Sequence, residues 1–322
     1  MRIFSLAFFF LIFPVFLVTA DEIRSEGIVI KFDKSYKNLA EEAARILSRA
    51  NKTINSKTGL ALYSEVTVLL PTSDAEFRAE YKRVTAEEPR EEMLAVAFPQ
   101  LSRILIRRTS LVPIGSGNLP ETLTHEMLHI FLSQFARQHN VNIPLWLNEG
   151  LAQWVSERTI TELDRQYLAN SARSNILLPL KELEVKFPST PGQSRLAYLE
   201  SYEFLSYLVK MRGEESLRNL FAQSARLGGF EGAFTEVFGK SVEELEKEWT
   251  QQLAQSHSFW SQFWRQVTIW ELLSLLAVVA FVRYIVRSRR LKRKFEEEEE
   301  EKSSNWTQPS EPREVDKDQT AQ

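Results

Sequence analysis

Leu123-Thr124-His125-Glu126-Met127-Leu128-His129-Ile130 is the stretch on which the reading of this chain turns. Histidines four apart on a helix stand one turn apart on one face, so both imidazoles can reach a single zinc ion at about 2.0–2.1 Å. Glu126 projects about 100° round from His125, which sets it beside an ion and not on it. Met127, Leu128, Phe131, Leu132 and Phe135 bury the same helix, and idle imidazoles in or beside a core are costly. Pro120 and Glu121 mark its first turn, so a helix over 120–138 is expected.

Asn148 follows His129 by nineteen residues and opens Asn148-Glu149-Gly150-Leu151-Ala152 on a second apolar helix. If that helix returns antiparallel, Glu149 is the natural third ligand and a fourth position stays open for water. Gly150 and Ala152 would let this helix approach the first closely. Alone, Glu149 reads more readily as a surface carboxylate or helix-start acid; beside the two histidines it reads as a ligand. The other two histidines in the chain read differently: His139 as a loop residue, His257 as a residue near the next apolar run.

Together these segments resemble the gluzincin zinc metallopeptidases, the peptidase MA-like group. That resemblance implies zinc, one per chain, on His125, His129 and Glu149, with Glu126 as general base. It implies a peptide or protein substrate and a hydrolase. It extends at pattern level over 27–255, the downstream tyrosines Tyr198 and Tyr202 included. These two are candidate oxyanion donors, but their one-turn spacing fits core packing better, and neither is counted in the expected site. The other reading is a catalytically inactive zincin-like scaffold that presents a partner-binding surface. A channel component has little support, because one span cannot build a pore without oligomerising.

Upstream of the motif, strand signals at 27–32, 65–70, 93–98 and 103–108 alternate with helix signals at 39–54 and 73–84. They suggest a small sheet with helices on one face, and an edge there could bind an extended peptide by backbone pairing. Downstream the pattern is helical, over 147–171, 193–211, 214–227, 230–238 and 241–256, with one long loop at 174–193. The expected class is α+β: a zincin-like (gluzincin) domain with a small N-terminal sheet and a mainly helical C-terminal half, followed by one transmembrane helix.

Composition limits the alternatives. The 322 residues are 43% apolar and 26% charged, which is globular composition. Forty basic residues against 43 acidic leave no global excess to hold nucleic acid. The absence of cysteine excludes thiol catalysis, disulfides and thiolate metal sites, so any metal must sit on nitrogen and oxygen.

The chain ends suggest a membrane. Residues 3–18 are almost wholly apolar and end in Val18-Thr19-Ala20, the pattern of a signal peptide over 1–20. A second apolar run, 267–286, is long enough to span a bilayer at about 1.5 Å per residue. Six of the eight residues 287–294 are Lys or Arg, which would mark a cytoplasmic side. The expected organisation is therefore an exported peptidase domain over 21–258, a single span, and a basic then disordered acidic cytoplasmic tail over 287–322. That places the domain on the extracytoplasmic side, as in a bacterial cell envelope.

Overall fold

The protein is described by a computed structural model over residues 21–107, 118–256 and 269–306. The first two segments form one compact unit and the third lies in another. The chain enters through β1 (Asp21–Ser25), turns at Glu26 and Gly27, and returns antiparallel as β2 (Ile28–Phe32). Both turn residues have positive φ, 50° and 81°, the geometry that a two-residue hairpin matched to strand twist requires.

Helix α1 (Lys37–Thr58) then crosses to β3 (Val66–Leu69), which pairs parallel with β2. Helix α2 (Asp74–Thr85) is started by Ser73, whose hydroxyl accepts from the Glu76 amide. Strands β4 (Ala95–Phe98) and β5 (Arg103–Ile106) form an antiparallel pair, and β5 joins β3 in parallel. The sheet order is β1-β2-β3-β5-β4, so β4 is an edge.

Alternation along these strands separates two faces. Ile28, Ile30, Val66, Val68, Ile104 and Ile106 enter the main core with Ala43, Leu47 and Ile54 of α1. Leu105 and Phe98 point the other way and close over Phe77 of α2. The helices therefore cover both faces of the sheet, not one.

The helical half begins with α3 (Leu119–His139), which packs Leu123, Met127, Ile130 and Phe131 into the same core. The expected single helix over 147–171 is two, α4 (Leu145–Val155) and α5 (Glu162–Arg173). The break has a local cause: Glu157 takes a left-handed φ of 59°, and Thr161 and Asp164 form a capping box that starts α5 afresh. Helices α6 (Pro191–Arg212), α7 (Glu215–Leu227), α8 (Phe230–Phe238) and α9 (Val242–Ser256) follow. Trp146 of α4 is buried against Phe204 of α6 and Phe230 of α8, and Trp249 of α9 meets Phe204. Each such side chain contributes about 1.5–3 kcal/mol by leaving water.

Helix α10 (Ile269–Trp306) is described by itself. The transmembrane helix expected over 267–286 is not borne out, because among the described residues no helix is long and apolar enough to cross a membrane. Between the charges Glu271 and Arg283 the apolar run of α10 is eleven residues, 272–282. That is about 17 Å of helix, little more than half a hydrocarbon layer. With the span go the membrane as a partner, the membrane-anchored form of the activity and the single-pass topology that set the domain outside and the tail inside. The acidic stretch expected to be disordered is helical as far as Trp306. The expected signal peptide over 1–20, His257 and the tail after 306 lie outside the described residues.

Candidate metal centre

Helix α3 begins where Asn118 accepts a hydrogen bond from the Glu121 amide (2.7 Å) with Pro120 in the first turn, and ends at Asn140 in the left-handed conformation. This fixes the rotation of the helix. Its apolar face goes to the core, and His125 and His129 emerge together on a partly buried face, with ring centroids 4.7 Å apart.

Helix α4 lacks any side-chain cap. Instead the Leu145 and Trp146 amides donate to the carbonyls of Glu184 (2.8 Å) and Leu183 (3.0 Å), in the segment expected only as a long loop. Gly150 then meets α6 so closely that an added Cβ would stand 2.3 Å from the Ser201 carbonyl oxygen. The close approach expected at Gly150 towards α3 is made instead to α6.

These two placements bring Glu149 to the histidines. Its Oε2 lies 3.7 Å from His125 Nε2 and 3.9 Å from His129 Nε2. The three ligand atoms lie within 4.8 Å of one another. Both contacts are too long for hydrogen bonds. Two donors each about 2.0–2.1 Å from a tetrahedral zinc stand roughly 3.4 Å apart, so the spacing fits a small ion between them.

The imidazoles are set for ligation from behind. His129 Nδ1 donates to Asn148 Oδ1 (2.6 Å), which leaves its Nε2 lone pair facing Glu149, and the Ala152 backbone adjoins the His125 ring. Burial, reinforced by the neighbouring His129, holds His125 well below the usual imidazole range, so it is neutral as a ligand must be. Burial pushes the Glu149 carboxyl up, against the opposing effect of His129 and Arg158. A divalent cation among the three donors would oppose that rise.

Glu126 lies beside the cluster and not in it. Its Oε2 accepts a hydrogen bond from the Ala97 amide of edge strand β4 (2.6 Å), and burial pushes its carboxyl up. One backbone donor of the edge considered for peptide pairing is thus committed to Glu126. Tyr198 of α6 is influenced by the charges of both Glu149 and Glu126, and burial pushes its hydroxyl up to about 12. Tyr202, one turn on, packs against the core. His139 is the last residue of α3, with Nε2 2.8 Å from the Tyr63 hydroxyl, and takes no part in the cluster. Beyond His129 a cleft of 540 Å³ runs between α3 and the turn after β4, lined by Gln100, Ser133, Arg137 and Asn148 among others.

Asn148, Ala97 and the buried Gln153 are the contributors that sequence reasoning passed over. Only Asn148 had a signal, its place directly before the candidate ligand. Gln153 Nε2 donates to the carbonyls of Glu149 (3.1 Å) and Tyr198 (3.0 Å), tying the carboxylate-bearing helix to α6.

The cluster can chelate a metal ion, and the fold that presents it is α+β with an N-terminal sheet and a helical half. No curated protein sequence matches the chain. The family model described as Peptidase MA superfamily matches residues 83–255, more than half of the chain and every residue of the cluster, and the chain therefore belongs to the Peptidase MA superfamily.

Proposed function

We propose that the protein is a zinc-dependent peptidase, with His125, His129 and Glu149 as the metal ligands and Glu126 as the catalytic base. The observation that carries this reading is the convergence of three ligand atoms within 4.8 Å on a chain of the Peptidase MA superfamily. Two neutral nitrogens and one carboxylate oxygen are the donor set that suits zinc and leaves a coordination position for chemistry. A zinc ion bound there supplies Lewis acidity, making a water more acidic and a peptide carbonyl more electrophilic.

The remaining work belongs to side chains. Ala97 holds Glu126 by one oxygen, Oε2, and leaves Oε1 to take a proton from the attacking water and pass it to the departing amine. Burial favours this exchange by raising the basicity of the carboxylate. Tyr198, a phenol that stays protonated at neutral pH and is buried near Glu149 and Glu126, is assigned as the donor for the oxygen on which negative charge develops.

The test separates metal from chemistry. Purified protein is expected to hold about one zinc per chain and to cleave an unfolded protein. Glu126→Gln should keep the zinc and lose activity by roughly 10³-fold or more. An active Glu126→Gln protein removes Glu126 from the mechanism, and a zinc-loaded wild type without cleavage leaves the inactive scaffold.

A further inference from the structure

Past the end of α4 the chain doubles back. Glu157, in its left-handed conformation, lets the Arg158 amide return to the Gln153 carbonyl (3.0 Å) and directs the next side chain along the helix it has just left. The Arg158 guanidinium is then held by Nη1 on Gln153 Oε1 (3.3 Å). Gln153 is fully buried, and its amide nitrogen grips the backbone at Glu149 and at Tyr198. One neutral side chain thus fixes the metal carboxylate helix, the tyrosine helix and a guanidinium.

The charge of Arg158 is felt by His125, Glu149 and Tyr198. A second guanidinium, Arg90, acts on Tyr198 as well. Its loop is anchored by the buried Arg107, whose Nη1 donates to the carbonyls of Arg90 (3.1 Å) and Glu91 (2.7 Å). Among the described residues neither Arg90 nor Arg158 makes an ion pair, whereas Arg78, Arg103 and Arg107 each meet a carboxylate within 2.9 Å. The exposed Arg158 guanidinium, steadied by the same amide that binds the backbone at Glu149 and Tyr198, keeps its remaining forked donors free for an incoming anion.

We infer that Arg158, assisted by Arg90, is a specificity-determining residue that binds a carboxylate of the peptide substrate beside the metal cluster. This rests on the peptidase reading. The carboxylate can be the α-carboxylate of a peptide end or the side chain of Asp or Glu. Both offer two oxygens to the same donors.

Zinc-loaded protein carrying Glu126→Gln, which should bind without turnover, is titrated with fluorescent peptides in matched pairs. One pair differs only in a C-terminal acid or amide, the other only in an internal Glu or Gln. One carboxylate peptide is expected to bind about tenfold tighter than its neutral partner, and the pair that shows this identifies the source. Adding Arg158→Gln should shrink the ratio to within about twofold while neutral peptides bind as before, and Arg158→Lys should restore part of it. Arg90→Gln, on an exposed loop, should reduce the ratio independently, should Arg158→Gln fail to fold. A ratio near one in the parent, no peptide binding at all, or an undiminished ratio in Arg158→Gln overturns the inference. Because binding is read without cleavage, an inactive wild type that still prefers the carboxylate peptide refutes the peptidase reading and spares the anion site.

Discussion

Helix α3 carries its own start signal and helix α4 carries none. Asn118 caps the first and Asn140 closes it, so its residues specify where it begins, where it stops and which face turns outward. In α4 the first amides are satisfied by carbonyls almost forty residues downstream, and its path is set by the contact of Gly150 with Ser201. The metal cluster joins one element positioned by local sequence to one positioned by tertiary packing. Disturbing the packing of α4 should therefore damage the site more than disturbing the ends of α3.

The largest difference is expected from Gly150→Ala. A Cβ 2.3 Å from a backbone oxygen cannot be absorbed by a rotamer change, so α4 must move away from α6 and carry Glu149 with it. Overpacking of this kind costs about 3 kcal/mol, of which the better helix propensity of alanine returns up to about 1 kcal/mol. Urea unfolding should show the net loss, and zinc titration should show weakened binding. Unchanged stability together with unchanged zinc affinity would mean that the α4–α6 contact does not control the site.

A smaller effect acts on the same support through pH. The segment whose carbonyls cap α4 is clipped by two carboxylates: Glu200 accepts from the Leu178 amide (3.0 Å) and Glu246 from the Leu180 amide (2.8 Å). Glu200 is fully buried, and burial raises its carboxyl to about 8. The folded protein therefore binds this proton more tightly than the unfolded chain does. Its contribution to stability is complete below about pH 4.5 and is lost as pH rises towards 8. Unfolding free energy should fall across that window, and Glu200→Gln should flatten part of the decline, gaining on the order of 1–3 kcal/mol at pH 8. A pH profile identical in the two proteins would remove Glu200 as the cause.

The same contrast explains what could be read from residues alone. His125, Glu126 and His129 were legible because helical periodicity is local, and Glu149 became legible only in company with them. The reason for Gly150 was half visible: small residues announce a close approach without saying to what. Ala97 and Gln153 gave no signal, since a backbone amide on an edge strand and a buried glutamine acquire meaning only from neighbours 29 and 45 residues away. Other misses had signals that went unused. Thr161-Glu162-Leu163-Asp164 is a capping-box sequence that divides the expected long helix, and Gly27 marks the hairpin that adds β1. The apolar run near residue 280 has the overall length and composition of a span, but Glu271 and Arg283 leave too short an apolar stretch between them.

The smallest expected effect is on the α3 side. Asn118→Ala removes one side-chain cap and leaves the Glu121 amide to water, a loss of about 1 kcal/mol. The helix has nearly two turns between that cap and His125, and Leu123, Met127 and Phe131 hold it in the core whatever its first turn does. The melting temperature should therefore fall slightly while zinc per chain and peptide cleavage stay at wild-type values. Should Asn118→Ala instead release zinc as readily as Gly150→Ala, α3 would depend on its first turn for register, and the separation between a locally specified helix and a packed one would fail at the helix where it ought to be strongest.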